Sequence, residues 1–173
     1  MVKRIAAAVA LALLCGVVAA PAALSGRRVA LSTLEAGVLA RMNGIRAQHG
    51  LVPLRVSASL TEAAAEHSEQ MAVDGFFEHT SADGTAFWKR IGHWYGPGGY
   101  GYWSVGENLL WSSPQVGPAA ALELWMRSPE HRANILSPKW REIGVASVHV
   151  ARAPGVYRGR EVTIITTDFG VRR

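Results

Sequence analysis

Residues 128–146, SPEHRANILSPKWREIGVA, contain the side chains best suited to chemistry, the trio Glu130, His131 and Arg132. An imidazole changes charge near neutral pH and serves as a general acid, a general base or a metal ligand. A solvated surface helix would explain the charges. The short amphipathic run after the trio and the apolar segment beyond Pro138 favour a residue in a cleft instead. We therefore interpret His131 as a candidate cleft residue.

A serine also stands near this histidine, because Ser128 and His131 are three residues apart. A hydroxyl beside an imidazole is the arrangement that activates a serine nucleophile. Proximity in sequence does not establish such a pair, and the sequence contains no G-x-S-x-G nucleophile elbow. We give this pair no catalytic role.

The N-terminal segment predicts export. Lys3 and Arg4 precede an apolar run over residues 5–20, and an Ala-Pro-Ala group follows it. This pattern is typical of a secretory signal peptide, here residues 1–22, cut before Ala23. The alternative is an N-terminal membrane anchor, although the apolar run is short for a span of roughly 20 residues.

Composition limits the chemistry of the exported protein. The single cysteine, Cys15, lies in the signal peptide, so cysteine nucleophiles, cysteine metal sites and disulfides are excluded after cleavage. Removing Lys3 and Arg4 from the 18 basic residues leaves 16 against 13 acidic ones, so the formal charge falls from +5 to +3. No basic stripe is present, and nucleic acid is not an expected partner.

Helical periodicity predicts two long helices after a short linker at residues 23–30. Apolar side chains recur at helical spacing through residues 31–50. Residues 59–75 begin with Ser59 and carry Glu62 three positions later, which is typical of a capping box. A short helix, capped by Asp83, is predicted through Phe87, Trp88 and Ile91, and a fourth helix is predicted at residues 118–127. These segments belong to one predicted domain, residues 31–173.

The last third of the chain predicts buried strands. EIGVASVHV and REVTIITTDFGV are apolar on both alternating faces, and VGENLLW also has the composition of a strand. A strand that is apolar on both faces needs a layer on each side. We therefore predict an α+β fold, a three-layer α-β-α sandwich with a small, mainly antiparallel sheet.

Five short motifs in a fixed order carry a family resemblance. They are RAQHGL, FFEHTSADG, VGENL, SPEHRANIL and EIGVA. In this order they resemble the CAP superfamily, which contains cysteine-rich secretory proteins, insect venom antigen 5 and plant pathogenesis-related proteins. The chain is similar to its bacterial, cysteine-free, SCP-like branch over residues 31–169. The resemblance implies the same α-β-α fold.

The resemblance also implies a central cavity lined by two histidines and two acidic residues. The matching positions are His79, Glu107 and His131, and the fourth falls on Ser128, where eukaryotic relatives have a glutamate. His79 and His131, with Glu107, could hold Zn²⁺ with an open position for water. The alternative is a hydrogen-bonded polar cluster without a metal, in which Glu107 fixes a loop.

An aromatic and glycine-rich segment, GHWYGPGGYGYW at residues 92–103, lies between two of these positions. Aromatic faces on a mobile rim suit glycan, peptide or lipid ligands. Tyr100, Tyr102 and Trp103 are therefore candidate residues of the cavity rim. The alternative is that these rings complete the core.

Two functional classes remain open. The resemblance favours a secreted, extracellular or periplasmic binding module for a lipid, glycan or protein ligand, with no stable membrane span once the signal peptide is removed. The alternative is a metal-assisted hydrolase that acts on peptide or peptidoglycan, with His79, His131 and Glu107 as ligands or as acid and base.

Overall fold

The computed structural model describes residues 30–173, which form five α-helices and a four-stranded sheet. The helices are α1 (Thr33–Gln48), α2 (Ala58–Asp74), α3 (Phe87–Trp94), α4 (Pro118–Arg127) and α5 (Pro129–Ile135). The strands are β1 (Arg55–Val56), β2 (Trp103–Ser112), β3 (Glu142–Ala153) and β4 (Arg160–Arg172). The predicted signal peptide and residues 23–29 of the predicted linker lie outside the described residues. Between residues 30 and 173, no helix has the length and hydrophobicity to cross a membrane.

The sheet has the order β1-β3-β4-β2, so β2 lies at one edge. Strands β2, β4 and β3 pair antiparallel, and only the two-residue β1 pairs parallel, with β3. The apolar side chains of α1, α4 and α5 pack on one face, and those of α2 and α3 pack on the other. Because both faces are covered, β4 is buried from Val162 to Val171. The predicted three-layer α-β-α sandwich is confirmed.

The start of α2 differs from the prediction. The capping box expected at Ser59 is wrong, because α2 begins at Ala58 and its N-cap is Ser57, whose side chain makes no capping hydrogen bond. The Ser57 amide donates to the carbonyl of Ile143 in β3 at 2.9 Å. Pairing with the sheet therefore holds the chain extended up to Ser57 and sets the first residue of the helix.

A buried arginine ties α1 to α5. Arg46 is 0% exposed, and its Nη1 atom donates to the carbonyls of Ile135 and Ser137 at 2.7 and 3.0 Å. The other nitrogens, Nε and Nη2, donate to the carbonyl of Val52. Arg46 thus supplies donors to the carbonyls at the C-terminal end of α5, where helix carbonyls have no partner within the helix, and also to the Val52 carbonyl.

We expect Arg46→Met to destabilise the protein by roughly 3 to 5 kcal/mol, because several carbonyls lose their donor at once. The exposed Arg41 of the same helix provides the control, and Arg41→Met should stay within about 0.5 kcal/mol of the wild type. Urea unfolding followed by circular dichroism measures both changes. Equal effects of the two substitutions would contradict a special role for Arg46.

Candidate functional site

An open cavity of about 320 Å³ lies beside the edge strand β2, where the two helical layers approach each other. Residues 105–107 of β2 form one wall. Besides Glu107, the side chains with polar or aromatic groups around it are His79, Phe87, Glu130, His131, Asn134, Lys139 and Trp140. The structure thus brings His79, Glu107 and His131 to one cavity, although they come from a loop, a strand and a helix.

Glu107 is the most constrained of the three side chains. Its side chain is 1% exposed, and its Oε1 atom lies 2.7 Å from Nδ1 of His79. Its other oxygen, Oε2, accepts a hydrogen bond from Nη2 of Arg90. A carboxylate only accepts, so Nδ1 of His79 carries the hydrogen and, in a neutral ring, Nε2 carries the lone pair. The His79 side chain is half exposed, at 50%.

Arg90 of α3 is the second charged residue of this cluster, and the sequence analysis missed it. Arg90 is buried and also donates, through Nη1, to the carbonyl of His79 at 3.0 Å and to Oγ of Ser81 at 3.2 Å. One guanidinium therefore neutralises Glu107 and fixes the loop that carries His79. A basic residue on the apolar side of a predicted helix is a signal that could have identified it.

Asp168 of β4 was also missed. It is 0% exposed and stands directly opposite Glu107 in the β2–β4 register. As a carboxylate it would have no donor, because neither of its oxygens has a hydrogen-bond partner in the described chain. Burial, and then the charge of Glu107, raises the pKa of Asp168 well above its usual value. The raised pKa favours the protonated, neutral form of Asp168.

His131 approaches the cavity from the opposite helical layer. Burial lowers its pKa, the nearby imidazole of His79 lowers it further, and Glu130 opposes both effects. Its ring is therefore neutral at neutral pH and can either donate or accept a hydrogen bond. Its helix is attached to β2 through Asn134, whose Nδ2 atom donates to the carbonyl of Glu107 at 3.0 Å.

His67 of α2 has a structural role. It is 0% exposed, and its Nε2 atom lies 2.9 Å from the carbonyl oxygen of Glu78, to which it donates. Burial is the main cause of its lowered pKa, which keeps the ring neutral. His67 therefore holds the backbone next to His79 and does not line the cavity.

Four residues proposed from the sequence occupy other positions. Ser128 joins α4 to α5, and its carbonyl accepts from the amide of Arg132 at 2.9 Å. Tyr100 and Tyr102 are exposed beneath the guanidinium groups of Arg172 and Arg173. Trp103 is half buried, and it donates to the carbonyl of Tyr95 at 2.6 Å. These four residues do not line the 320 Å³ cavity.

The arrangement does not fit a three-ligand zinc site. Both oxygens of Glu107 already bind other groups, namely His79 and Arg90. Within residues 30–173, no cluster of three or more His, Cys, Asp or Glu side chains is placed to hold a metal ion. Zinc binding by these residues therefore stays a prediction from the sequence.

The raised pKa of Asp168 predicts a pH-dependent stability. The folded protein keeps the Asp168 proton to higher pH than the unfolded chain, whose pKa is near 3.8. The free energy of unfolding should therefore contain a term that falls as the pH rises above that value. Asp168→Asn cannot titrate, so its stability should decline less than that of the wild type.

Urea unfolding over roughly pH 4 to pH 8 measures this difference. Asp74→Asn, at an exposed position in α2, is the control and should follow the wild-type profile. Parallel profiles for the wild type and Asp168→Asn would show that Asp168 does not retain its proton.

Comparison with known proteins gives the family. The sequence profile of the cysteine-rich secretory protein family, CAP, matches residues 39–157. An uncharacterized protein of Bacillus subtilis (strain 168), YkwD, is 30% identical over 118 residues, which span 68% of this chain and 44% of that protein. An uncharacterized membrane protein of the same organism, YlbC, is 31% identical over 114 residues, which span 66% of this chain and 31% of that protein. The chain thus spans less than half the length of these relatives.

Solved structures show the same fold at lower identity. An outer surface protein from Borrelia burgdorferi has a TM-score of 0.62 and 18% identity, covering 79% of this chain and 90% of that chain. An extracellular protein with an SCP domain from Bacillus anthracis has a TM-score of 0.59 and 24% identity, covering 84% of this chain and 45% of that chain. By its sequence, its fold and the order of its motifs, the chain belongs to the CAP family of cysteine-rich secretory proteins, and its single cysteine fits the cysteine-free bacterial branch.

Proposed function

We propose that the protein is an exported binding module and that the cavity beside β2 is its binding site. The observation that carries this proposal is the state of Glu107, whose two oxygens are occupied by Arg90 and His79. A carboxylate held in this way gives the wall of the cavity its shape and is not free to act on a substrate. The groups left for a ligand are hydrogen-bonding and aromatic.

The chemistry of the remaining lining favours a polar ligand with an apolar part. His131 offers a neutral imidazole, and Lys139 offers an ammonium group that lies 4.0 Å from the centre of the Trp140 ring. Phe87 and Trp140 supply aromatic surface. A volume of about 320 Å³ accommodates one small group or one segment of a larger glycan, lipid or protein ligand.

Export is the second part of this proposal. It rests on the charged and apolar start of the sequence, residues 1–22, which is typical of a signal peptide. Two proteins of the same fold are an outer surface protein and an extracellular protein. Both observations favour a location outside the cytoplasmic membrane, either extracellular or periplasmic.

Ligand binding by wild-type and variant proteins tests the cavity. Solubilised peptidoglycan fragments, phospholipid vesicles and linear peptides serve as probes, and calorimetry measures the affinity. For any probe that binds, His131→Ala should weaken the affinity by roughly 2-fold to 10-fold, because one hydrogen bond is lost. His49→Ala, which removes an exposed histidine at the end of α1, should change nothing. If the probe binds equally well to His131→Ala, its site lies elsewhere.

Hydrolysis is the second candidate function, and the contact between Glu107 and His79 favours it. A carboxylate that holds Nδ1 of an imidazole leaves Nε2 as a general base for water. If this function is correct, the protein should cleave peptidoglycan or casein, and His79→Ala should lower the rate by roughly 100-fold or more. Turnover that a chelator abolishes would identify the metal-assisted form, and turnover unchanged in His79→Ala would rule out this base.

A further inference from the structure

The edge strand β2 presents backbone groups to the cavity. Tyr102 and Arg173 exchange both backbone hydrogen bonds, at 2.8 and 3.1 Å. In an antiparallel ladder the next residue along each strand points its amide and carbonyl away from the partner. The residues of β2 that face outward are therefore the odd-numbered ones, including Val105, Glu107 and Leu109. Consistent with this, the Gly170 carbonyl opposite Val105 accepts from Arg141 on the β3 side.

Side chains from the helices cover the second half of this edge. The indole Nε1 of Trp125 donates to the carbonyl of Leu109 at 2.9 Å. The amide Nδ2 of Asn134 donates to the carbonyl of Glu107 at 3.0 Å. These two contacts take the place of a neighbouring strand, so α4 and α5 close the edge from the Glu107 carbonyl onward.

The first half of the edge is open. Between residues 30 and 173, no group donates to the outward carbonyl of Val105 or accepts from the outward amides of Val105 and Glu107. Val105 is half buried, and residues 105–107 form the cavity wall. Backbone groups beside a cavity need a partner, either water or a ligand. Along this edge the Val105 amide is a donor, the Val105 carbonyl is an acceptor and the Glu107 amide is a second donor. This order matches the acceptors and donors of an extended peptide backbone.

We propose that the open edge of β2, residues 103–107, binds an extended peptide as an additional strand. This inference rests on the proposed function, because it names the ligand class of the same cavity. The backbone of the peptide pairs with Val105 and with the amide of Glu107. Its alternate side chains point to opposite faces, and one of them enters the cavity near His131 and Lys139.

The charge at this position favours an acidic side chain in the peptide. Lys139 lines the cavity and has no carboxylate within salt-bridge distance in the described chain. Its Nζ atom lies 3.4 Å from Oγ of Ser104, so the ammonium group lies alongside the open part of β2. Of the two acidic residues that line the cavity, Glu107 is neutralised by Arg90, whereas Glu130 has no salt-bridge partner in the described chain and would repel an acidic ligand. The acidic side chain is therefore expected beside Lys139 and Ser104 rather than beside Glu130.

Selection from a phage-displayed library of random linear heptapeptides against the mature protein provides the probe. The selected peptide is synthesised, and its binding is followed by calorimetry and by amide signals in NMR spectra. The amides of Val105 and Glu107 should shift and become protected from hydrogen exchange. N-methylation of alternate peptide amides should weaken binding at least tenfold, whereas N-methylation of the intervening amides should change it little.

A pair of substitutions at Val105 tests the same contact from the protein side. Val105→Pro removes the outward amide but none of the β2–β4 hydrogen bonds, and proline is tolerated at such an edge position. Val105→Pro should lower the affinity for the selected peptide at least tenfold. Val105→Ala keeps the amide, so its affinity should stay within about threefold of the wild-type value. If Val105→Pro does not fold, the binding of the N-methylated peptides to the wild type tests the proposal instead.

Three outcomes would overturn the proposal. They are a selection that enriches no peptide, a selected peptide that leaves residues 103–107 unperturbed, and a dimer of the protein that protects the same amides without peptide. Binding that is lost in His131→Ala but is insensitive to Val105→Pro and to N-methylation would retain the proposed binding function and refute strand addition. The two proposals therefore fail separately.

Discussion

The buried ion pair between Glu107 and Arg90 is the interaction on which the site depends. A carboxylate that is 1% exposed is costly unless a cation and hydrogen bonds compensate it. Arg90 provides the cation, and the same guanidinium donates to the carbonyl of His79. A single pair thus connects α3, the edge strand β2 and the loop of His79. Loss of either partner leaves a buried charge without compensation.

Asp168 places a second buried carboxyl group beside Glu107, on the inner strand β4 of the sheet. The residues of a pair that exchanges no backbone hydrogen bonds approach each other closely, and Asp168 and Glu107 form such a pair. Two carboxylates at that distance cannot both be charged when one guanidinium is available. Burial and the charge of Glu107 both raise the pKa of Asp168, which favours the proton on Asp168, while Arg90 pairs with Glu107.

The position of the cavity follows from how the sheet edge is closed. Asn134 and Trp125 reach around β2 from one helical layer and satisfy its carbonyls at Glu107 and Leu109. Gly106 permits the approach of Asn134, because a Cβ atom there would lie 3.1 Å from Oδ1 of Asn134, and it also makes room for the Trp140 ring, 2.7 Å from the same point. His79 approaches the same strand from the other layer. The cavity lies beside β2 where the contacts of Asn134 and of His79 end. The same strand therefore forms the cavity wall and is shielded along the rest of its edge by the helices.

The sequence by itself determined the layers, the helix at Pro118–Arg127 and the long buried strands, and its motifs gave the family and placed His79, Glu107 and His131 in one candidate site. These features depend on periodicity, turn residues and short motifs, which neighbouring residues encode. Only the tertiary structure decided that Arg90 and Asp168 complete the cluster, that α2 begins at Ala58 after the N-cap Ser57, and that the tyrosines do not line the cavity. The physical reason is that a buried charge or a sheet hydrogen bond takes its partner from a distant segment, and local sequence does not specify that segment.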